Sequence, residues 1–244
     1  MRSRPHEAGS FKERLRSSLE SKSPPFTTVK VCKHENVYTL GDRAETVYFI
    51  ESGQIKLLTL SPEGKGCLTG IHTQGDTFGE LCLAGPPVRR ETATAMEDTA
   101  LRVIPCAAFF LHLGEHSLLE DFVRCLAVRI DEQQRIITHL ITVDSEHRLG
   151  ETLLELARKL GKQDPRSKRI EQRITHEELS QMVGTTRPRV TEFMQKFRRL
   201  GLIANGPNHF LIVNEKRLAE YLAGIPQGVR TGARPAPQTI TEPV

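Results

Sequence analysis

The spacing of apolar residues changes character along this chain, and each change marks a part. From residue 26 to 104 apolar residues come in short runs: Val47-Tyr48-Phe49-Ile50, Gln54-Ile55-Lys56-Leu57-Leu58-Thr59-Leu60, Cys67-Leu68-Thr69-Gly70-Ile71 and Ala100-Leu101-Arg102-Val103-Ile104. Glycine-bearing turns separate them at Gly41-Asp42, Ser52-Gly53, Pro62-Glu63-Gly64-Lys65-Gly66 and Gly75-Asp76. Short strands with regular turn signals predict an antiparallel sandwich or roll. Between Ser117 and Asp144 the period lengthens to that of a helix. Leu119, Val123, Leu126, Ile130, Gln133, Ile137 and Leu140 recur in steps of four and three, with Arg124, Arg129, Asp131, Glu132 and Arg135 off that line. This is a coiled-coil seam, and beside a mainly β unit it predicts pairing with a second copy. The alternative is burial against the same chain. Gln133, the polar residue of the seam, suits fixing register or facing a ligand.

A third pattern occupies residues 174–203. Thr175 and Glu178 have capping-box spacing, and Leu179, Met182 and Val183 follow as one apolar face. Gly184 stands where a helix ends in the left-handed region. Thr186 then caps a second helix, with Pro188 in its first turn. Val190, Phe193, Met194, Phe197 and Leu200 form its buried face, opposite Arg187, Arg189, Glu192, Gln195, Lys196 and Arg199. Two short helices around a tight turn predict a helix-turn-helix, whose second helix enters a DNA major groove. The plainer alternative is a helical hairpin with a solvated basic face.

The rest of the chain completes the plan. A helix over about His147–Leu160 leads into the motif. Leu202-Ile203 and Phe210-Leu211-Ile212-Val213 flank Asn205-Gly206-Pro207-Asn208, predicting a β-hairpin wing. Asn208 and His209 are read equally as phosphate contacts or as solvated turn residues. The fold class is α+β. Its expected parts are a flexible N-terminal arm over 1–25 with a short helix from Phe11 to Glu20, a β-roll over 26–115 and a dimer helix over 116–144. A winged helix-turn-helix over 145–224 and a disordered, proline-bearing tail over 225–244 follow.

Composition narrows the function classes. At 244 residues, 38% hydrophobic and 26% charged, the chain suits a globular protein of one or two domains. No apolar run is long enough to span a bilayer, and the N-terminus lacks an apolar signal core, so a cytoplasmic location is expected. The net charge of +4 says little by itself. Its distribution says more: between Thr186 and Leu200 five basic residues face one acidic residue, Glu192, a patch suited to a polyanion. The five cysteines, Cys32, Cys67, Cys82, Cys106 and Cys125, are scattered without a Cys-x-x-Cys pair. They read as reduced small hydrophobes rather than metal ligands, with redox sensing by one of them as the alternative. His72 and Glu80 lack a third well-spaced ligand, and no nucleophile triad or phosphate loop is present, so neither a catalytic nor a metal residue is assigned.

The order of roll, long helix and winged helix-turn-helix resembles the CRP/FNR family of bacterial transcription regulators, over residues 26–215. Gly41-Asp42-Arg43-Ala44-Glu45-Thr46-Val47-Tyr48-Phe49-Ile50 is similar to the family's G-x-x-A-x-x-x-Y-x-I run. Ser52-Gly53-Gln54-Ile55, Gly75-Asp76 and Phe78-Gly79-Glu80-Leu81 follow as later landmarks. Asp144–Leu156 and Thr175–Ile203 resemble the hinge and the DNA-reading motif. The resemblance implies an antiparallel β-roll (a double-stranded β-helix) and a homodimer on an inverted-repeat operator in double-stranded DNA. It also implies RNA polymerase as a further partner and no membrane association. Arg187, Arg189, Thr191, Glu192 and Gln195 would meet bases, while Thr175, His176, Thr186 and Lys196 would meet phosphates, with Arg199 on the same face. Pro188 and Glu192 depart from the best-known members, which implies a different half-site.

The resemblance also places an effector pocket at Gly79, Glu80, Leu81, Arg89, Arg90, Glu91, Thr92, Gln133 and Gln134. In cyclic-nucleotide-binding members a Gly-Glu pair holds the ribose and a downstream Arg-Ser/Thr pair the phosphate. Gly79-Glu80 retains the first pair, whereas Glu91 aligns with the arginine of the second. A carboxylate facing a phosphate costs several kcal/mol in a partly dry pocket. Arg89 or Arg90 can take that role if the loop shifts by one residue. Gln133 and Gln134 replace the Thr-Ser of cyclic-AMP-responsive members. Cyclic AMP is therefore disfavoured, and the pocket is either vestigial or takes another small molecule. Residues 1–31 lack cysteine, which opposes an iron–sulfur cluster, and no histidine closely follows Cys82, which opposes haem. No cofactor is assigned. Two alternatives stay open: a cyclic-AMP-responsive activator, and an effector-binding module that acts on a protein partner.

Overall fold

The computed structural model describes residues 8–20, 26–85, 88–164, 167–206 and 210–224. Strands β1 (Thr27–Val31), β3 (Thr46–Ser52), β6 (Thr77–Phe78) and β8 (Thr99–Pro105) form one sheet, in the order β1-β8-β3-β6. Strands β2 (Asn36–Tyr38), β4 (Gln54–Leu60), β5 (Gly66–Thr73) and β7 (Thr92–Ala95) form the other, in the order β2-β7-β4-β5. Every pairing is antiparallel, and the chain passes repeatedly between the sheets, which makes the expected roll. The strand period of two explains why β3 reads as continuously apolar. Tyr48 and Ile50 join the roll interior with Phe78 and Leu101. Val47 and Phe49 point the other way, into a cluster with the flanking helices.

Those helices are α1 (Ala8–Glu20), α2 (Cys106–Glu115) and α3 (Leu119–Thr142). The expected flexible arm is here corrected, because α1 is docked. Its Phe11, Leu15 and Leu19 repeat every fourth residue and are buried against Phe109, Leu113, Leu118 and Phe122. Burying each such side chain contributes about 1.5–3 kcal/mol, and ion pairs from Lys12 to Asp76 (2.7 Å) and from Arg14 to Asp121 flank them. Leu126 is shared between two surfaces. It is half-buried against this same cluster as well as lying on the seam, while Val128, Ile136 and Ile141 join the exposed apolar residues of α3.

Beyond α3, Asp144 caps α4 (Ser145–Leu160) by accepting from the amides of Glu146 (2.8 Å) and His147 (2.9 Å). Next come β9 (Gly161–Asp164), β10 (Ser167–Ile170), α5 (His176–Val183) and α6 (Arg187–Arg199). The last elements are β11 (Ile203–Asn205), β12 (Leu211–Val213) and α7 (Glu215–Ala223). The wing is thus part of a four-stranded sheet, β11-β12-β10-β9, whose β9–β10 hairpin the apolar periodicity does not announce. The wing tip at Pro207–His209 and the tail from 225 onward lie outside the described residues. Leu149, Leu153, Leu179, Val190, Met194, Phe197, Leu218 and Leu222 make one core, and Leu68 and Ile71 of the roll share it. Lys56 of β4 also reaches Glu178 of α5 at 2.5 Å, so the helix-turn-helix rests on the β4–β5 hairpin.

His72 of β5 is a titratable weak point, since its Nδ1 has no hydrogen-bond partner among the described residues. Burial, then the charges of Arg129 and Lys159, push its pKa to about 3, against the pull of Asp76. A histidine held neutral in the fold contributes stability that is complete above its unfolded pKa, near 6.5, and is lost as pH falls towards 3. Denaturant titrations between pH 6 and pH 4 should lose up to about 1.4 kcal/mol per pH unit through this group. His72→Gln should flatten that slope, and an unchanged slope in the variant would refute the assignment.

Candidate nucleic-acid interface

The helix-turn-helix is built by local bonds. Thr175 Oγ1 accepts from the Glu178 amide (3.1 Å), and the Glu178 carboxylate accepts from the Thr175 amide (2.8 Å), closing the capping box. Burial opposes ionisation of Glu178, but hydrogen bonds from Lys56 and from the Thr175 backbone hold its carboxyl below the usual range. Gly184 ends α5 at φ 68°, where a Cβ would be strained, and its amide bonds Ser180 O at 3.0 Å. Thr186 is the N-cap of α6, but its side chain makes no capping bond, a correction to the expected cap. Val190, Met194 and Phe197 are buried, which turns Arg187, Pro188, Arg189, Glu192, Gln195 and Arg199 outward.

Three expected contacts stand differently. Lys196 donates to both Glu146 oxygens (2.8 and 2.9 Å), and Tyr221 Oη donates to the same carboxylate at 2.5 Å, so this ammonium is engaged within the domain. Thr191 is half-buried and donates to Arg187 O at 3.0 Å, which leaves its oxygen to accept from His176 Nδ1 at 2.8 Å. Burial first, then the neighbouring charges of Arg198 and Arg187, lower the His176 pKa and keep the ring neutral. His176 therefore braces α6 against α5 instead of offering a cation to phosphate. Arg173 and Arg198, absent from the expected set, line a concavity with Thr175, His176, Arg187 and Asn205. Arg198 Nε donates to Asn205 Oδ1 at 3.2 Å, which joins α6 to the wing. In sequence Arg198 is one basic residue among several, and only the approach of β11 singles it out.

In the effector region the charged side chains bond mainly within the chain, while Arg89 Nε and Glu80 Oε2 have no hydrogen-bond partner among the described residues. Arg89 is buried, donates to Gly79 O (2.9 Å), Thr46 O (2.7 Å) and Thr46 Oγ1 (2.8 Å), and lies 4.2 Å from the Tyr38 ring centre. Glu91 accepts from Tyr38 Oη at 3.1 Å, and burial raises its carboxyl pKa. The interior cation is thus Arg89, which corrects the expectation that Glu91 stands in the arginine's place. Arg90 and Leu81 are exposed, and Gln133 and Gln134 are exposed on α3, so none of these four joins the cluster. Thr92 Oγ1 accepts from the Leu40 amide at 3.1 Å. Arg129, which sequence reasoning missed, reaches from α3 to pair with Glu80 and donates to Thr77 O at 2.8 Å. No periodicity separates it from Arg124 or Arg135. Arg89→Ala should cost about 3 kcal/mol or more, because it strands buried acceptors and unpairs interior charge. A thermal melt within 1 °C of the parent would contradict the role assigned to this side chain.

Residues 28–116 match the cyclic nucleotide-binding domain model, and residues 147–221 match the Crp-like helix-turn-helix domain. The transcriptional regulator LdrP of Thermus thermophilus is 30% identical over 179 residues, covering 72% of this chain and 86% of that protein. The chain belongs to the CRP/FNR family of transcription regulators. The CRP-like cAMP-activated global transcriptional regulator of Mycobacterium tuberculosis is 27% identical over 87% of this chain and 95% of its own length. Among solved structures, the CRP-family regulator TTHB099 of Thermus thermophilus superposes with a TM-score of 0.67 at 27% identity, covering 82% of this chain and 98% of its own. A CooA mutant from Carboxydothermus hydrogenoformans shares the fold, with a TM-score of 0.70 at 23% identity over 91% of this chain and 98% of its own. Like its CRP/FNR relatives, the chain is a DNA-binding regulator built from a cyclic-nucleotide-binding-like roll and a winged helix-turn-helix.

Proposed function

We propose that two copies pair along α3 and read an inverted-repeat operator, each placing α6 in one major groove. The observation that carries this reading is the apolar face that α3 leaves uncovered. Val123, Ile130, Ile137 and Ile141 lie on one side of the helix and are each at least half exposed. Exposed apolar residues in helical register over 24 residues favour association with a matching surface, and an identical helix supplies one. A two-fold pair then presents Arg187 and Arg189 to half-sites about one helical turn apart, roughly 34 Å. Contacts with RNA polymerase would follow from that placement.

The roll works without cyclic AMP. Three of the five Arg89 donors are taken by chain oxygens, its Nε has no partner among the described residues, and the Glu91 carboxyl beside it opposes a phosphate. Isothermal calorimetry with cyclic AMP should register no binding at micromolar concentrations, and gel-shift affinity for the operator should be unchanged by the nucleotide. Micromolar binding would restore the cyclic-AMP-responsive alternative. A partner-docking module would instead bind DNA without the steep salt dependence that counterion release imposes.

A further inference from the structure

Cys82 and Cys106 lie 24 residues apart in sequence, yet their sulfurs are 2.8 Å apart. Cys82 belongs to the 3-10 helix Glu80–Ala84, and Cys106 opens α2. The gap exceeds a bonded sulfur pair, about 2.05 Å, by less than 1 Å. We propose that these two thiols are a redox site, converted to a reversible disulfide by hydroperoxides.

The two sulfurs are not equivalent. Cys82 is buried, whereas Cys106 is half-exposed and is the one a small oxidant can reach. The Cys82 thiol donates to the Cys106 sulfur, at the first turn of α2. Burial, then the bond to Cys106, pushes the Cys82 pKa up to about 12, which keeps the proton on Cys82. Cys106 therefore attacks first. Its thiolate takes the distal peroxide oxygen as the O–O bond breaks, giving a sulfenic acid and releasing alcohol, or water from hydrogen peroxide, once the leaving oxygen is protonated. Cys82 sulfur then attacks the sulfenic sulfur. The S–O bond breaks, and hydroxide leaves with the Cys82 proton as water. Two thiols and one hydroperoxide become a disulfide, an alcohol and a water, with two electrons passing from sulfur to oxygen.

The position gives the bridge something to act on. The 3-10 helix that carries Cys82 begins at Glu80, whose carboxylate pairs with Arg129 of α3. A bond from Cys82 to Cys106 ties that helix to the start of α2, which runs by a short turn into α3. Cys32 and Cys67 are exposed, and Cys125, half-buried, packs against the same cluster as the pair.

Hydrogen peroxide treatment of the full chain, followed by a thiol count in denaturant, should reduce five free thiols to three. Dithiothreitol should restore all five. Peptide mapping should find one linked pair, Cys82 with Cys106. In Cys82→Ser the reaction should stop at a sulfenic acid on Cys106 that dimedone traps, and Cys106→Ser should keep its four thiols. Five thiols surviving in the parent, a different linked pair, or no dimedone adduct in Cys82→Ser would each overturn the proposal. These readouts do not depend on DNA binding. Operator affinity should differ at least threefold between oxidised and reduced parent and not in Cys106→Ser, and equal affinities would overturn the coupling to α3.

Discussion

Replacing Arg187 and Arg189 together with alanine is expected to abolish specific operator binding while leaving the fold intact. Both side chains are exposed at the N-terminal turn of α6, and the buried face of that helix is made by other residues, Val190, Met194 and Phe197. Arginine is the side chain best shaped for a bidentate bond to guanine, and each such contact discriminates by about 1–3 kcal/mol. Each half-site loses two, so the dimer loses four, about 4–12 kcal/mol, a fall of roughly 10³-fold or more in a gel-shift titration. Stability should move by no more than about 0.5 kcal/mol, as for surface substitutions generally. Unchanged affinity for the operator would show that α6 does not read the groove. Lys196→Ala is the contrasting variant. Its ammonium is held by Glu146, so the change should lower stability more than it lowers affinity.

Glutamate at Val123, Ile130 and Ile137 is expected to convert a dimer into monomers and to weaken operator binding by about 10²–10⁴-fold, the gain that two tethered half-site contacts supply. These side chains are 57%, 53% and 57% exposed in the single chain, so charge there is solvated until a second copy approaches. In the pair it would be buried against apolar surface, at several kcal/mol for each unpaired ion. Sedimentation velocity and gel shift measure the two effects. Leu126→Glu separates the seam from the core: it should unfold or strongly destabilise the roll, because Leu126 packs against the cluster that holds Phe109 and Phe122. If the triple variant still sediments as a dimer, α3 is not the interface.

Much of the reading head was legible in the sequence, because its signals are local. Thr175, Glu178, Gly184 and Pro188 act on backbone within four residues of themselves, and the structure places each at the helix end its chemistry suits. The thirty residues that contain them also carry their own burial pattern, so the outward face of α6 followed. The expected sites were less legible wherever a side chain answers to a distant one. On sequence alone Lys196 reads as a phosphate ligand on the basic face of α6, yet Glu146 lies fifty residues away in sequence and 2.8 Å away in space. His176 likewise reads in sequence as a phosphate contact, and Thr191 turns it to a bracing role. Arg129 reads in sequence as an ordinary off-seam charge, and only the approach of Glu80 gives it a partner.

Periodicity, caps and turns suffice to determine the order of roll, long helix and winged head. Each is a property of a few consecutive residues and their backbone. What the tertiary structure alone decided is which side chains face inward where neighbours compete. Arg89 and Arg90 differ by one position, and strand-like geometry puts one inside against Thr46 and Tyr38 and the other in water. Leu126 differs from Val123 by three positions on α3, and the docked α1 and α2 cover one and leave the other bare. Such choices turn on surfaces brought together from distant parts of the chain, and short-range spacing carries no record of that approach.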